Sequence, residues 1–254
     1  MREICDMSVL ITGGGSGIGE ATARLFAARG ARVTISGRRV ANVNAVAASI
    51  GAQCVAVAGD VTRASDRQAM LDAALAHGGK LDVLVNNAAN MYRQPVDGYS
   101  EAVLMEAFNT NVISAMMLSS IAVPHLERSA GAIIFLGSIH NRRAYPGASP
   151  YATTKAAVEG LARVMAAELG HRQIRVNCVL PGAVSTEINV RAGLMTASQA
   201  SERYAAIAPE HALGRIGTAT EVAESIEFLC RAEWVTGVGL EVDGGLGLGV
   251  SKFC

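Results

Sequence analysis

Tyr151 and Lys155 stand four residues apart in the stretch YATTK. At this spacing, two side chains on a helix lie one above the other on the same face. A free tyrosine phenol has a pKa of about 10 and is a poor base at neutral pH, but a positive charge beside it favours the phenolate. The pair therefore predicts an acid/base group, Tyr151, supported by Lys155. The alternative is that both side chains belong to the exposed start of an amphipathic helix.

The rest of the chain predicts the scaffold that positions this pair. Short runs rich in β-branched residues alternate with alanine-rich stretches of helical length, and they cover 7–12, 32–36, 53–57, 82–87, 131–138, 174–179 and 239–245. Nearly continuous apolar strands, each followed by a helix, are typical of a parallel sheet covered on both faces. We predict one α/β domain over residues 1–254, a Rossmann-type doubly wound sheet of about seven strands. Residues 183–216 have the least certain structure and are expected to form a flap over the site.

The composition of the chain limits the classes of protein to which it can belong. The 254 residues are 50% hydrophobic and carry 22 basic and 22 acidic side chains, so the net charge is zero and no charged block favours nucleic acid or a membrane surface. The amino-terminal stretch lacks the pattern of a secretory signal, and no apolar run approaches the length of a membrane span. The five scattered cysteines predict reduced thiols and no metal site. We expect a cytoplasmic protein.

A glycine-rich turn joins the first strand to the first helix in VLITGGGSGIGEATARLF. Without side chains, such a turn lets backbone N–H groups and the positive end of a helix approach a pyrophosphate. In an open parallel sheet the ligand lies beyond the carboxyl ends of the strands, so GDVT and NNAAN should line the same crevice. The predicted dinucleotide contacts here are Gly13, Gly15, Ser16, Gly17, Ile18, Gly19, Asp60, Val61 and Asn87.

Further motifs turn this pattern into a family resemblance. TGGGSGIG, NNAA, Asn111 in NTNV, Ser138 after the fifth strand, YATTK and PGAVST together resemble the short-chain dehydrogenase/reductase family over essentially the whole chain. Ala89 stands where that family usually has glycine. The resemblance implies an NAD(P)-dependent enzyme acting on CH–OH and C=O groups, with Asn111, Ser138, Tyr151 and Lys155 as catalytic residues.

The resemblance also implies individual roles. Ser138 would hydrogen-bond the substrate oxygen beside the Tyr151 phenol. Lys155 would also bind the nicotinamide ribose, and Asn111 would hold a water that relays protons. Both Tyr151 and Lys155 therefore count among the cofactor contacts. PGAVST would surround the nicotinamide and the phosphates through Pro181, Gly182, Val184 and Thr186.

Cofactor choice is predicted from the end of the second strand, ISGRRV. An NAD-selective site needs a carboxylate there to bind the ribose 2′-OH, and none is present. Arg38 instead offers a guanidinium that can pair with a 2′-phosphate. We predict a preference for NADP(H), with NAD(H) possible. Ser16 argues against it, because NADP-preferring relatives often add a second basic residue there.

The substrate is less constrained by the sequence. The polar stretch SIHNRRAYPGAS follows Ser138, and it places His140 and Tyr145 near the pocket. It looks like the corresponding loop of sugar dehydrogenases in the family and indicates a polar, hydroxylated substrate. An equally good interpretation is that His140 satisfies loop backbone groups or faces water and that Tyr145 only packs. The alternatives are a 3-oxoacyl-[acyl-carrier-protein] reductase and, in another class, a dinucleotide-binding scaffold or sensor without catalysis.

The helices predicted at about 101–128 and 150–170 carry apolar residues on more than one face. Such faces are normally buried against a partner. By resemblance, these helices and the carboxy-terminal segment form the interfaces of a homotetramer, or of a dimer at least. The sequence assigns no role to Cys254.

Overall fold

The sheet has seven parallel strands in the computed structural model, which describes residues 1–249. The strand order is β3-β2-β1-β4-β5-β6-β7. The strands are β1 Ser8–Thr12, β2 Arg32–Gly37, β3 Cys54–Ala58, β4 Val83–Asn86, β5 Ala132–Leu136, β6 Arg175–Pro181 and β7 Gly239–Val242. Each corresponds to one predicted run, so the predicted fold class is confirmed. Cys254 lies outside the described residues.

Nine α-helices lie within residues 1–249. They are α1 Gly17–Ala28, α2 Val40–Ile50, α3 Ala64–Gly78, α4 Glu101–Phe108, α5 Ser114–Arg128, α6 Ser149–Leu169, α7 Ile188–Arg191, α8 Ala197–Ile207 and α9 Ala219–Arg231. A π-helical segment, Asn109–Ile113, joins α4 to α5. The helix predicted at 101–128 is therefore continuous but wider at the turn that carries Asn111.

The core lies on both faces of the sheet. Along β1, Val9 and Ile11 pack on one face with α1, α2 and α9, while Leu10 packs on the other with α3, α5 and α6. The pleat of a strand sends successive side chains to opposite faces, so a strand covered on both sides must be apolar throughout. This requirement explains why the strand runs in the sequence are nearly continuous rather than alternating.

The strand order places a crevice where the two halves of the sheet diverge. β1 pairs with both β2 and β4. From β1 the chain adds β2 and β3 on one side, and from β4 it adds β5, β6 and β7 on the other. The loops after β1 and β4 must leave toward opposite faces, which opens a cleft at the carboxyl edge. The glycine-rich turn and NNAAN border this cleft.

Two further predictions bear on the surroundings of the sheet. By length and composition, the helical stretch Glu101–Arg128 is apolar enough to cross a membrane, although the sequence analysis found no candidate span. Core helices pass the same test, and Leu118, Ala122 and Leu126 on this stretch are fully buried.

Within residues 1–249, no group of three or more His, Cys, Asp and Glu side chains could hold a metal ion.

Candidate active site

The glycine-rich turn is held in place by Asn87 from the loop after β4. Its Nδ2 donates to the carbonyl oxygens of Thr12, at 2.8 Å, and Gly13, at 3.1 Å. A Cβ on Gly19 would collide with the Gly13 carbonyl oxygen, so α1 can begin this close to the turn only with glycine. Gly17, at φ +58°, uses the left-handed region that favours glycine. Asn87 therefore supports the turn as well as lining the cleft.

This turn fits the phosphates of a dinucleotide. No side chain caps the amino terminus of α1, so the first N–H groups of this 12-residue helix are free to bind an anion from the cleft. Gly17 and Ile18 of the first turn line the cleft directly. The donor set and the absence of bulk at the turn are what a pyrophosphate requires.

One cleft collects nearly all of the predicted site residues. It is lined by Gly13, Gly15, Ser16, Gly17, Ile18, Arg38, Asp60, Val61, Asn87, Ser138, His140, Tyr145, Tyr151, Lys155, Pro181, Gly182, Val184 and Thr186. Two predicted residues lie behind it. Gly19 packs against the turn, and the Asn111 side chain is buried between α6 and the loop after β4.

Tyr151 and Lys155 lie on the first turns of α6, as the spacing predicts. Pro150 occupies the start of this helix, where its missing N–H costs no hydrogen bond. The Lys155 Nζ atom lies 5.6 Å from the centre of the Tyr151 ring and donates to the carbonyl oxygen of Leu136, at 2.6 Å. Both side chains are buried and both border the cleft. Leu136 ends β5, so this bond fixes the lysine to the edge of the sheet.

The pKa values of the pair in the protein alone are dominated by burial. Burial raises the pKa of Tyr151 to about 12, and a hydrogen bond with Ser138 and the charge of Arg191 only partly oppose this effect. Burial also lowers the pKa of Lys155 to about 8. The lowering of the phenol pKa by Lys155 together with a positive nicotinamide ring stays a prediction.

Ser138 is oriented by His140, two residues later. The His140 Nδ1 atom lies 3.0 Å from Ser138 Oγ, and the His140 backbone N–H donates to the same oxygen at 3.3 Å. The imidazole also packs against the rings of Tyr145, at 4.5 Å, and Tyr151, at 5.2 Å between ring centres. Burial lowers the pKa of His140 to about 4, assisted by the charges of Arg93, Arg203 and Lys155. The ring is therefore neutral at physiological pH.

Asn111 joins two parts of the site. Its Oδ1 accepts from the backbone N–H of Asn90, at 2.9 Å, and its Nδ2 donates to the Asn90 carbonyl and to Thr154 Oγ1, both at 3.0 Å. These bonds attach the loop after β4 to the catalytic helix α6. Both polar atoms of the Asn111 side chain thus form hydrogen bonds with other residues of the protein. The role of Asn111 in holding a water stays a prediction.

The end of β2 carries two arginines toward the cleft. Arg38 is largely exposed, and its Nη1 lies 3.9 Å from Asp60 Oδ2. Arg39, which the sequence analysis did not select, also lines the cleft; its guanidinium donates to Ser16 Oγ, at 2.8 Å, and to Glu187, at 3.1 Å. Residue 16 is not basic itself, but its hydroxyl binds the guanidinium group of Arg39, so a second basic group does lie at this position.

The predicted flap contributes side chains that the sequence analysis missed. Between β6 and α9, the short helix α7 and the helix α8 send Arg191 and Arg203 to the cleft. Arg191 reaches across to the carbonyl oxygen of Ala89, at 2.8 Å, and Tyr204 of α8 bonds both the N–H and the carbonyl of Thr186. In the sequence, Arg191 and Arg203 are marked only by their place in amphipathic stretches. Arginine is common on the solvated face of any such helix, so this pattern does not predict a site.

The four cysteines within residues 1–249, Cys5, Cys54, Cys178 and Cys230, do not line the cleft. Cys54, Cys178 and Cys230 are buried, and burial raises the pKa of each thiol, to about 11, 12 and 12 respectively. They therefore remain protonated packing groups.

The chain is similar to known proteins over nearly its whole length. The family model described as Enoyl-(Acyl carrier protein) reductase matches residues 13–247. A tropinone reductase homolog from Arabidopsis thaliana is 34% identical over 245 residues, covering 94% of this chain and 91% of the relative. Dehydrogenase/reductase SDR family member 4 from Homo sapiens is 32% identical, over 93% of this chain and 86% of the relative.

Solved structures share the fold. A short-chain dehydrogenase/reductase from Caenorhabditis elegans, crystallised with cofactor, superposes with a TM-score of 0.91 at 30% identity and covers 98% of each chain. A 3-ketoacyl-(acyl-carrier-protein) reductase from Brucella melitensis in complex with NADH has a TM-score of 0.85 at 30% identity, over 96% of this chain and 99% of that one.

Proposed function

The chain belongs to the short-chain dehydrogenase/reductase family, and from this premise we propose that it interconverts a polar carbonyl compound and its secondary alcohol with NADP(H) as the preferred cofactor. Its activity as an NAD(P)-dependent dehydrogenase/reductase follows from the family. The observation that carries the proposal is the convergence of Ser138, Tyr151 and Lys155 on the cleft that also contains the glycine-rich turn.

The chain's own residues supply the binding and the proton. A nicotinamide held by the turn, Lys155 and the loop after β6 would supply or accept a hydride, which side chains cannot do. Ser138 Oγ hydrogen-bonds the substrate oxygen, and its contacts with His140 keep it in place. The Tyr151 phenol gives its proton to that oxygen during reduction and recovers it during oxidation. A phenol that stays protonated at neutral pH suits the reductive direction.

The preference for NADP(H) is supported by the two arginines after β2. Gly37 ends the strand without a carboxylate, while Arg38 and Arg39 both border the cleft. Arg38 is mostly exposed and its nearest acid is 3.9 Å away, so its guanidinium is available for a 2′-phosphate. Arg39 lies at the same end, held by Ser16.

The substrate class is supported by the polar lining next to Ser138. His140 and Tyr145 border the cleft and carry hydrogen-bonding atoms without partners among the described residues, which suits a substrate with polar groups. The likeness to the Brucella melitensis reductase, at 30% identity, favours carrier-bound 3-oxoacyl thioesters as the second candidate.

The test is turnover of a substrate panel with NADPH and NADH in parallel for reduction, and with NADP⁺ and NAD⁺ in parallel for oxidation. The panel contains aldoses for the oxidative direction, and simple ketones, polar ketones and acetoacetyl thioesters for the reductive direction. We expect polar ketones to be reduced fastest, and with NADPH. Selective reduction of the thioesters would favour the second candidate, and the absence of any reduction or oxidation would contradict the proposal.

We also propose that the protein is a homotetramer, or a dimer at least. Met105, Ile113, Met116, Met117 and Val164 on α4 to α6 expose between 44% and 64% of their surface. A cluster of this kind is normally covered by a partner, and a second copy is the simplest one. Light scattering at micromolar concentration tests this proposal, and a monomer would contradict it. The cytoplasmic location stays a prediction.

A further inference from the structure

Several buried polar atoms beside the catalytic residues have no hydrogen-bond partner within residues 1–249. They are Nε and Nη2 of Arg93, Nε2 of His140 and the hydroxyl of Tyr145. A buried polar group without a partner has lost its hydrogen bonds to water without replacing them, and the free-energy cost is larger when the group is charged. Such a group next to a reactive centre indicates a ligand that pairs with it.

These atoms belong to one cluster. The His140 and Tyr145 rings are stacked with their centres 4.5 Å apart, and the Arg93 Nη1 atom donates to the carbonyl of Pro146, next to Tyr145, at 3.4 Å. Arg203 of α8 lines the same cleft as His140 and Tyr145, whereas Arg93 lies behind the lining residues. The charges of Arg93 and Arg203 both act on the imidazole of His140, and Arg203 acts on Arg93. The charges of two guanidinium groups therefore reach one neutral ring.

The nearby carboxylates do not neutralise these arginines. Glu210 is engaged by Arg143, at 2.6 Å. Asp243 accepts from the backbone N–H groups of Gly245, at 2.9 Å, and Gly247, at 2.7 Å. In the part of the chain that the structure describes, neither Arg93 nor Arg203 has a carboxylate within ion-pair distance.

We propose that the substrate carries an anionic group, a carboxylate or a phosphate, bound by Arg203 and Arg93 together with His140 and Tyr145. Guanidinium groups donate only and pair best with carboxylate or phosphate oxygens. Burial strengthens this pairing, because little water competes with it. The inference rests on the proposed function and deepens it by naming the class of substrate.

The position of His140 relates the anion to the reacting carbonyl. One ring nitrogen contacts Ser138, which binds the carbonyl oxygen, and the other is the unpartnered atom of the cluster. The two groups of the substrate therefore lie on either side of one imidazole ring, which corresponds to a short spacer between carbonyl and anion. Oxo acids and ketone phosphates of low molecular weight have this form.

The experiment compares matched anionic and neutral ketones. The pairs are acetoacetate with acetoacetamide, levulinate with levulinamide, and dihydroxyacetone phosphate with dihydroxyacetone. In at least one pair, we expect kcat/KM of the anion to exceed that of its neutral partner by about 100-fold, because a site built for a charged group rejects the analogue without it. A preference in the first two pairs identifies a carboxylate, and one in the third identifies a phosphate.

Arg203→Met tests the residue that borders the cleft. We expect the anion preference to fall to within about threefold, since one guanidinium of the pair is lost. Arg128→Met, on an exposed arginine at the opposite edge of the sheet, is the matched control and should keep the preference. If Arg203→Met does not fold, Arg93→Met takes its place. Equal rates for anion and neutral partner in all three pairs would overturn the inference while leaving the proposed function standing.

A binding measurement separates the two proposals if no ketone turns over. The melting temperature of the wild-type protein is recorded with each member of the pairs. Stabilisation by an anion but not by its neutral partner, lost in Arg203→Met, supports the anion site independently of catalysis. Equal shifts for both members of every pair would overturn it.

Discussion

The Nδ1 atom of His140 lies 3.0 Å from Oγ of Ser138, so a buried neutral imidazole holds the hydroxyl that we propose binds the substrate oxygen. His140→Phe keeps an aromatic ring between Tyr145 and Tyr151 but removes this bond. We expect kcat to fall about 3- to 10-fold, the equivalent of one hydrogen bond. Steady-state kinetics with a neutral ketone measures the change, and an unaltered kcat would contradict a positioning role.

The low pKa of His140 also predicts how stability depends on pH. The folded pKa of about 4 lies below the ordinary value of 6.5, so the unfolded chain binds the proton more readily. The contribution of a neutral His140 is fully present above pH 6.5 and is lost as pH falls toward 4. Urea unfolding between pH 7 and pH 5 should show a smaller loss of stability in His140→Phe than in the wild type.

Tyr151→Phe removes one hydroxyl and little volume. We expect kcat to fall by a factor of about 10² to 10⁴, the usual contribution of a positioned proton donor. Dinucleotide binding and the melting temperature should change little. Near wild-type turnover would contradict the assignment of Tyr151 as the acid. Since its pKa is raised to about 12, the ultraviolet difference between wild type and variant should show no extra phenolate up to pH 10 in the free protein.

Lys155→Met removes a buried ammonium group and its bond to Leu136. The lost hydrogen bond destabilises the fold, whereas removal of a desolvated charge stabilises it, so we expect the free energy of unfolding to change by less than about 2 kcal/mol. Activity should respond differently, with a lower kcat and a higher KM for the cofactor. Kinetics combined with denaturant unfolding tests the contrast, and loss of stability without loss of activity would contradict it.

Arg38→Ala tests the cofactor preference. Because the guanidinium is expected to pair with a 2′-phosphate, the NADPH to NADH ratio of kcat/KM should fall by about 10- to 100-fold. Arg39→Ala should lower the ratio less, since Arg39 is already bonded to Ser16 and Glu187. Arg63→Ala, on an exposed arginine at the start of α3, is the control. A strong NAD preference unchanged by Arg38→Ala would overturn the assignment.

Glu159 ties the loop that follows Ser138 to the catalytic helix. Its buried carboxylate accepts from Asn141, at 2.9 Å, and from Arg142 and Arg163, at 2.6 and 2.5 Å. The hydrogen bond from Arg142 is the main cause that lowers the pKa of Glu159 to about 2, below its ordinary 4.5. The resulting stability is present above pH 4.5 and is lost as pH falls toward 2.

Glu159→Gln should therefore destabilise the protein by about 1 to 2 kcal/mol, because a neutral amide replaces the buried carboxylate that accepts charge-assisted hydrogen bonds from two exposed arginines. Denaturant unfolding at pH 7 measures the change. The difference between variant and wild type should shrink at pH 3, where the carboxyl of Glu159 binds a proton in the unfolded chain but stays mostly ionised in the folded one. Glu127→Gln, in an exposed ion pair with Arg172, is the control and should change stability much less.

Much of the fold and half of the site could be predicted because their signals are local. The continuous apolar runs identified all seven strands, since a strand covered on both faces must be apolar at every position. Tyr151 and Lys155 lie on one helix, as their spacing predicted. The glycines of the turn lie at the edge of the sheet that their position after β1 requires. Each of these inferences depends on residues within about one helical turn, or on the order of strands.

The sequence by itself determined the fold class, the glycine-rich turn and the positions of Ser138, Tyr151 and Lys155, the residues that we propose are catalytic. The tertiary structure decided which charges surround them. Arg39 meets Glu187 across 148 residues, and Arg191 meets the Ala89 carbonyl across 102, contacts that no local pattern encodes. Burial likewise decided the pKa values of Tyr151, Lys155 and His140, because desolvation depends on everything packed around a group rather than on its neighbours in the chain.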